Sequence, residues 1–194
     1  ARLTGRRVIY DVHEEVHLDI RTKFYLHPWV RSTLSLGYLM LEQLSAPLFS
    51  ALMAANESTR ERLGRHSARV TYVPNYPLRD EIVPAPLGGP RHGVAYVGAI
   101  TRDRGIREMV EAAAEAGVRL VLAGKFENAT LQAEITAMPE WANVDFCGQA
   151  SRAQVARILG EVSAGLVLLH PDPNNMACLS TKLLEYMSAG IPVI

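Results

Sequence analysis

A chain of 194 residues, 48% of them apolar, can bury one good core or two small ones. Its 20 lysines and arginines balance 20 acids, so charge gives no reason to expect a nucleic-acid partner. The two cysteines, Cys147 and Cys178, match no metal-ligand spacing and exclude a disulfide-stapled class. They read as reduced thiols of a cytoplasmic protein, small buried or half-buried residues rather than nucleophiles.

RRVIYDVHEE (6–15) predicts a buried strand running into a polar loop, whereas residues 17–27 carry no clear period. A long, mostly helical stretch runs from Pro28 to about Ala46 and ends at Pro47. It is the most apolar part of the chain, but Arg31, Glu42 and Gln43 interrupt it, which argues against a membrane span. An apolar helix docked in a core, or lying on a membrane surface, fits it better. LFSALMAAN (48–56) predicts a strand, ESTRERLGRH (57–66) a short helix and RVTYVP (69–74) a strand. NYPLRDEIVPAPLGGP (75–90) is rich in Pro and Gly without periodicity, so it predicts a linker between a first domain, 1–74, and a second, 91–194.

Beyond the linker, strands and helices alternate. GVAYVG (93–98), VRLVLAG (118–124), VDFCG (144–148) and AGLVLLH (164–170) read as strands. GIREMVEAAAEAG (105–117, closed by Gly117), NATLQAEITAM (128–138) and SRAQVARILGEV (151–162, capped by Ser151) read as helices. A helix at 181–189 and a strand at 191–194 complete the pattern. Short strand–helix connections imply a parallel sheet covered on both faces, whose ligands bind beyond the carboxyl ends of the strands. The first strand begins almost at once and IPVI reads as a strand caught midway, so both ends are expected to be cut from a longer enzyme.

Four loops fall at those strand ends. In GAITRDRG (98–105), Gly98 allows close backbone approach, and Arg102 and Arg104 can hold phosphate oxygens or pair with Asp103 and Glu108. No G-x-G-x-x-G run is present, which weakens a dinucleotide reading. GKFENA (124–129) reads as a surface turn rather than a cleft wall. HPDPNN (170–175) is stiffened by proline and can bind sugar hydroxyls or serve as a rigid turn. The fourth, LSTKLLEYMSAG (179–190), opens a helix whose free N–H groups and dipole suit a phosphate near Ser180, Thr181 and Lys182. Thr181 and Glu185 are four apart on one helix face, roughly 6 Å along the axis. That spacing places a diphosphate at the tip and a ribose one turn deeper, its hydroxyls donating to Glu185. Glu185 facing water, with Lys182 paired to it, is the alternative. In the first domain, His13 at the end of YDVHEE can donate to a phosphate or a sugar hydroxyl, or be a plain polar strand terminus.

Together these segments resemble the retaining glycosyltransferases of family 4, with the GT-B fold of two Rossmann-like domains with parallel sheets. VAYVGAITRDRGIREMVEAA resembles the family's VGR…KG…LI.A block, and NVDFCGQASRAQVARIL its V.F.G.V….L..LY block. HPDPNNMACLSTKLLEYMSAGIPVI is similar to its P…EGFG…LEAMA.G.PV block. VPNYP resembles the PNG turn at the interdomain linker, and IYDVHEE the histidine-bearing strand end of the acceptor domain. The run YDVHE, then G.I…RG, then S.TKL.EYM is closest to a bacterial exopolysaccharide and cell-envelope subgroup.

The resemblance implies roles. Arg104 stands where the family has the lysine that binds the donor diphosphate. The family's arginine after the glycine falls on Ala99, leaving Arg102 to replace it. Glu185 matches the second glutamate of the E-x7-E motif, which holds the ribose. The first falls on Ala177, and Asn174 or Asn175 is the candidate to compensate. Ser180 and Thr181 fall where amides and a hydroxyl meet the phosphates, and His13 matches the histidine near the reacting sugar. The implied activity is metal-independent, retaining transfer of a hexosyl group from a UDP- or GDP-linked sugar to a glycan or lipid-linked acceptor. It needs no cofactor and places the enzyme in the cytoplasm, with peripheral contact at the inner face of the membrane. A fragment of such an enzyme is expected to be inactive alone. Two rivals stand beside this reading: a nucleotide-sugar 2-epimerase of GT-B fold, and a non-catalytic partner subunit suggested by Ala99 and Ala177.

Overall fold

The computed structural model describes residues 5–23, 25–78, 80–82, 84, 89–171, 175 and 179–194. The chain divides into two compact units, Ala1–Asn75 with Pro171–Leu179 and Tyr76–His170 with Ser180–Ile194.

The first unit carries a three-stranded parallel sheet of β1 (Ile9–Val12), β2 (Ala51–Ala54) and β3 (Val70–Tyr72), with β2 central. The first part of the 17–27 stretch, which shows no period, belongs to the short helix α1 (Val16–Arg21). It packs on α2 (Pro28–Ser45), which starts at Pro28 as a proline at the first helical position allows. α3 (Glu57–Gly64) is capped by the Asn56 side chain, which accepts from the Thr59 N–H at 2.8 Å. The apolar core is small: Val12, Ala46, Leu52 and Leu63, flanked by Tyr10, Phe49 and Val70.

Buried polar contacts supplement it. Arg62 of α3 bridges Glu15 and Glu42, whose side chains are each 3% exposed, and Thr59 and Ser58 donate to Glu15 at 2.8 and 3.1 Å. The expectation of α2 as an apolar helix docked in a core is therefore corrected. Its inward residues include Ser35 and Glu42, while Trp29, Leu36, Met40, Leu41 and Leu44 are exposed. No helix among the described residues is long and apolar enough to cross a membrane.

The second unit holds a four-stranded parallel sheet in the order β6-β5-β4-β7, with β4 (Val94–Val97), β5 (Leu120–Ala123), β6 (Val144–Gly148) and β7 (Ala164–Gly165). Alternate residues serve opposite faces. Leu120 and Leu122 join Tyr96 in a core with α4 (Ile106–Glu115) and α5 (Ala129–Thr136). Ala95, Val97 and Val121 face a second core with α6 (Arg152–Glu161) and α7 (Thr181–Ser188).

Ser151 and Gln154 form a reciprocal capping box on α6. α7 stops at Gly190, whose φ of 68° lets the Ile191 and Gly190 amides donate back to the Tyr186 and Met187 carbonyls at 3.1 and 3.0 Å. The segment read as a linker is not a free tether on this side. Ile82 is 2% exposed and belongs to the second core of this unit.

Two strand expectations are shortened. AGLVLLH keeps two residues in the ladder, and residues 191–194 form an isolated bridge between Gly165 and Val193. Cys147 is exposed on β6, an outer strand of the sheet, contrary to the expected burial. Cys178 and Asn174 lie outside the described residues.

Candidate functional site

The strand order places a switch in direction at β4, with β5 on one side and β7 on the other. In open parallel sheets ligands bind at that point, beyond the carboxyl ends of the strands. A cavity of about 400 Å³ lies at those ends in the second unit. Gly98 and Ala99 after β4, Gly124 and Lys125 after β5, Ala150 and Arg152 after β6, and Lys182 and Glu185 of α7 contribute to its walls.

Backbone sets the floor. The Gly98 N–H donates to the Ala123 carbonyl and the Gly124 N–H to the Gly148 carbonyl, each at 2.8 Å, so the loops continue the ladder past the strands. Gly98 and Gly124 have φ of 143° and 153°, and a Cβ on Gly124 would collide with the Gly98 backbone. The expectation that GKFENA is a surface turn is thus corrected at its first two residues. Close glycine packing brings Gly124 and Lys125 into the cavity wall.

Helix α7 is fixed by Tyr186. Its ring lies against Gly165, where a Cβ would leave it no room, and its hydroxyl accepts from the Val97 N–H at 3.1 Å. Burial raises the Tyr186 phenol pKa well above its usual value, so it stays a neutral group at the end of β4. One turn earlier, the Lys182 ammonium lies beside Gly98, 2.8 Å from where a Cβ would stand, and 5.5 Å from the centre of the Tyr96 ring. Burial pulls its pKa down to about 8, the positive Arg104 adds to the fall, and Glu185 opposes it. No carboxylate among the described residues forms an ion pair with Lys182. Ser180 occupies the cap position of α7 without a side-chain capping bond. That leaves the positive end of the helix dipole beside Lys182 and Thr181.

Glu185 lines the same cavity with its side chain 16% exposed, so it does not face open water. Its partner is Arg152, whose Nη1 donates to Glu185 Oε1 at 2.6 Å, and not Lys182. Arg104 is half-buried and close enough to Tyr96 to lower its phenol pKa, although burial dominates and leaves that pKa raised.

Gly98, Thr181, Lys182 and Glu185 therefore share one cavity, with Arg104 beside it and Ser180 at the helix start. Arg102 does not join them. It pairs with Glu134 on α5, and with Arg107 it holds that carboxyl at about 2, below its usual 4.5. His13 belongs to the first unit, where its Nε2 lies 2.8 Å from Asp11 Oδ2. His170 meets Glu108 at 2.9 Å, and its N–H donates to the Asp103 carbonyl.

Sequence reasoning missed Arg152. Its signal was a cation at the first position of a capped helix, where the dipole disfavours positive charge unless acids lie nearby.

Residues 85–194, more than half of the chain, match the glycosyl transferases group 1 family. No curated protein sequence matches the chain. Sucrose-phosphate synthase from Thermosynechococcus elongatus aligns with a TM-score of 0.67 at 15% identity, over 99% of this chain and 51% of its own. WaaG, a glycosyltransferase involved in lipopolysaccharide biosynthesis, aligns with a TM-score of 0.62 at 15% identity, over 95% of this chain and 55% of its own. A TarM variant from S. aureus, solved with fondaparinux, alpha-GlcNAc-glycerol and UDP, aligns with a TM-score of 0.59 at 14% identity, over 82% of this chain and 31% of its own. The chain spans at most about half the length of these structures. The likeness establishes an α/β fold of parallel sheets, the type found in GT-B glycosyltransferases. On its match over residues 85–194, the chain belongs to the glycosyl transferases group 1 family.

Proposed function

We propose that the cavity at the ends of β4, β5 and β6 holds the nucleoside diphosphate of a UDP- or GDP-linked sugar. The protein then transfers the sugar to a glycan or lipid-linked acceptor, with retention and without a metal. The order of motifs described above supports the finer placement in retaining family 4 and in its bacterial exopolysaccharide and cell-envelope subgroup. A lipid-linked acceptor would bring the enzyme to the inner face of the membrane.

One observation carries this reading. Lys182 is a half-buried ammonium, its Nζ against Gly98 and over the Tyr96 ring, without a carboxylate partner among the described residues, at the start of a helix that no side chain caps. Burying such a charge is costly until an anion meets it, and a helix N-terminus adds to the attraction. Glu185, three residues on, completes a site that is positive at one end and accepting at the other. A nucleoside diphosphate has that pattern, with charge on the phosphates and hydroxyl donors on the pentose.

In the reaction, negative charge grows on the departing diphosphate. Lys182, Arg104 and the dipole of α7 offset it, while the amides near Ser180 and Thr181 orient the phosphates. Gly98 lets the backbone approach, and Glu185 accepts from the pentose hydroxyls. The resemblance assigns His13 to the transferred sugar, Asn174 or Asn175 to its ring and Arg102 to the diphosphate, and Arg102 is paired with Glu134.

Calorimetry with UDP and GDP tests the assignment. Lys182→Met is expected to weaken binding of the preferred nucleotide by about tenfold or more, the scale of one lost charge-assisted contact. An unchanged affinity would contradict it. Product analysis with donor alone separates transfer from epimerisation, since an epimerase converts the donor without an acceptor.

A further inference from the structure

Arg152 forms a chain of charge that reading the cavity as a nucleotide site does not require. It opens α6, where the helix dipole disfavours a cation, and it is held there by two carboxylates far away in sequence. Nη1 donates to Glu185 Oε1 at 2.6 Å, and Nε and Nη2 both donate to Glu81 Oε2, at 3.2 and 2.9 Å. Glu81 belongs to the segment that leads into the second unit and packs there through its neighbour Ile82. Three of the five guanidinium donors are thus engaged with carboxylates.

The consequence falls on Glu185. A free glutamate side chain samples many rotamers, and fixing one costs conformational entropy at the moment of binding. Arg152 takes one oxygen, Oε1, by a short charge-assisted bond, while Oε2 makes no hydrogen bond to a described residue. A carboxylate held by one oxygen in the wall of a cavity is ready to accept from a pair of vicinal hydroxyls with little further ordering.

We infer that Arg152, braced by Glu81, is the positioning residue of the pentose site: it holds the Glu185 carboxylate in the orientation that discriminates a ribose from a sugar lacking its hydroxyls. This rests on the reading of the cavity as a nucleoside-diphosphate site. Arg152 acts through Glu185 and not on the ligand.

The test compares affinities of the full chain by calorimetry for three probes. These are whichever of UDP and GDP binds more tightly, its 2′,3′-dideoxy analogue, and inorganic pyrophosphate. The wild type is expected to favour the ribonucleotide over the dideoxy analogue by about tenfold or more, as hydrogen bonds to a charged group imply. Arg152→Gln should reduce that ratio to about threefold or less and lower pyrophosphate affinity by clearly less than it lowers ribonucleotide affinity. Glu81→Gln, which lies outside the cavity wall and reaches it only through Arg152, should lower the ratio in the same direction and by less. Arg152→Gln combined with Glu185→Gln should lose no more discrimination than Glu185→Gln alone, since one residue works through the other.

A full ribose preference in Arg152→Gln would overturn the inference, as would an equal loss of pyrophosphate affinity or an additive double variant. A wild type that binds neither nucleotide, or does not distinguish the two sugars, would remove the nucleotide reading itself. The two failures are therefore separable.

Discussion

At the scale of single residues, Lys182 makes the sharpest claims. Its folded pKa of about 8 lies below the usual 10.5, so between those values the unfolded chain binds more protons than the folded one. The stability cost of charging Lys182 is therefore present in full below about pH 8 and is relieved as pH rises toward 10.5. A bound diphosphate acts the other way and favours the charged amine. Nucleotide binding is thus expected to take up a proton near pH 8–9 and to weaken as pH rises further. Binding heats measured in buffers of different ionisation enthalpy should differ in that range, and Lys182→Arg should abolish the difference.

Glycines 98 and 124 offer a second residue-level prediction. Both have φ values that L side chains avoid, but a Cβ at Gly98 meets the flexible end of Lys182, whereas one at Gly124 meets backbone. Strain should cost each alanine variant about 1–3 kcal/mol, and Gly124→Ala should destabilise more than Gly98→Ala because its Cβ meets backbone, as read from denaturant midpoints. Gly98, Lys182 and Glu185 were legible in the sequence because helix periodicity and a strand-end glycine suffice to bring them together. Arg102 was not, because its partner Glu134 lies 32 residues away on another helix. Arg152 escaped for the same reason, its carboxylates standing 33 and 71 residues distant. Gly124 and Lys125 were misread because a turn and a cavity wall look alike until the neighbouring loop is placed.

At the scale of elements, local chemistry wrote the boundaries. The Ser151 cap acts where the sequence predicted it, whereas Asn128, read as the first residue of a helix, is instead its cap, and Gly190 stops the last helix just past its predicted end. Strand 164–170 kept two ladder residues because its outer neighbour is reduced to an isolated bridge at Val193. That is a tertiary fact no local pattern carries. α2 was legible as a helix but not in its orientation. Its buried Glu42 is explained by Arg62, twenty positions away on α3. Removing one partner of a buried ion network leaves an uncompensated charge, so Arg62→Met should cost the first unit about 3–5 kcal/mol in chemical denaturation. The outward face of α2 presents Trp29, Leu36, Met40 and Leu44 to solvent, and a contiguous apolar patch of this kind attracts hydrophobic probes. Binding of a hydrophobic dye to the native chain should fall in a Leu36→Lys, Leu44→Lys double variant.

At the scale of the whole molecule, the two units differ in what holds them. Among the described residues the first has one apolar cluster of four buried side chains and a polar network, while the second has two larger apolar clusters sandwiching its sheet. Amides of β1–β3 are therefore expected to exchange hydrogen at lower denaturant than those of β4–β6. The alternation of strands and helices made the parallel α/β class legible from sequence, since a helix between two strands returns the chain for parallel pairing. The same alternation put the candidate site at the carboxyl ends of β4, β5 and β6.

The central claim is that a nucleoside diphosphate rests there. An amide chemical-shift map during titration with UDP, and then GDP, tests it most directly. The account expects the largest shifts at Gly98, Thr181, Lys182 and Glu185, with saturation by at least one of the two nucleotides. Shifts confined to other residues, or none at all with either, would contradict it.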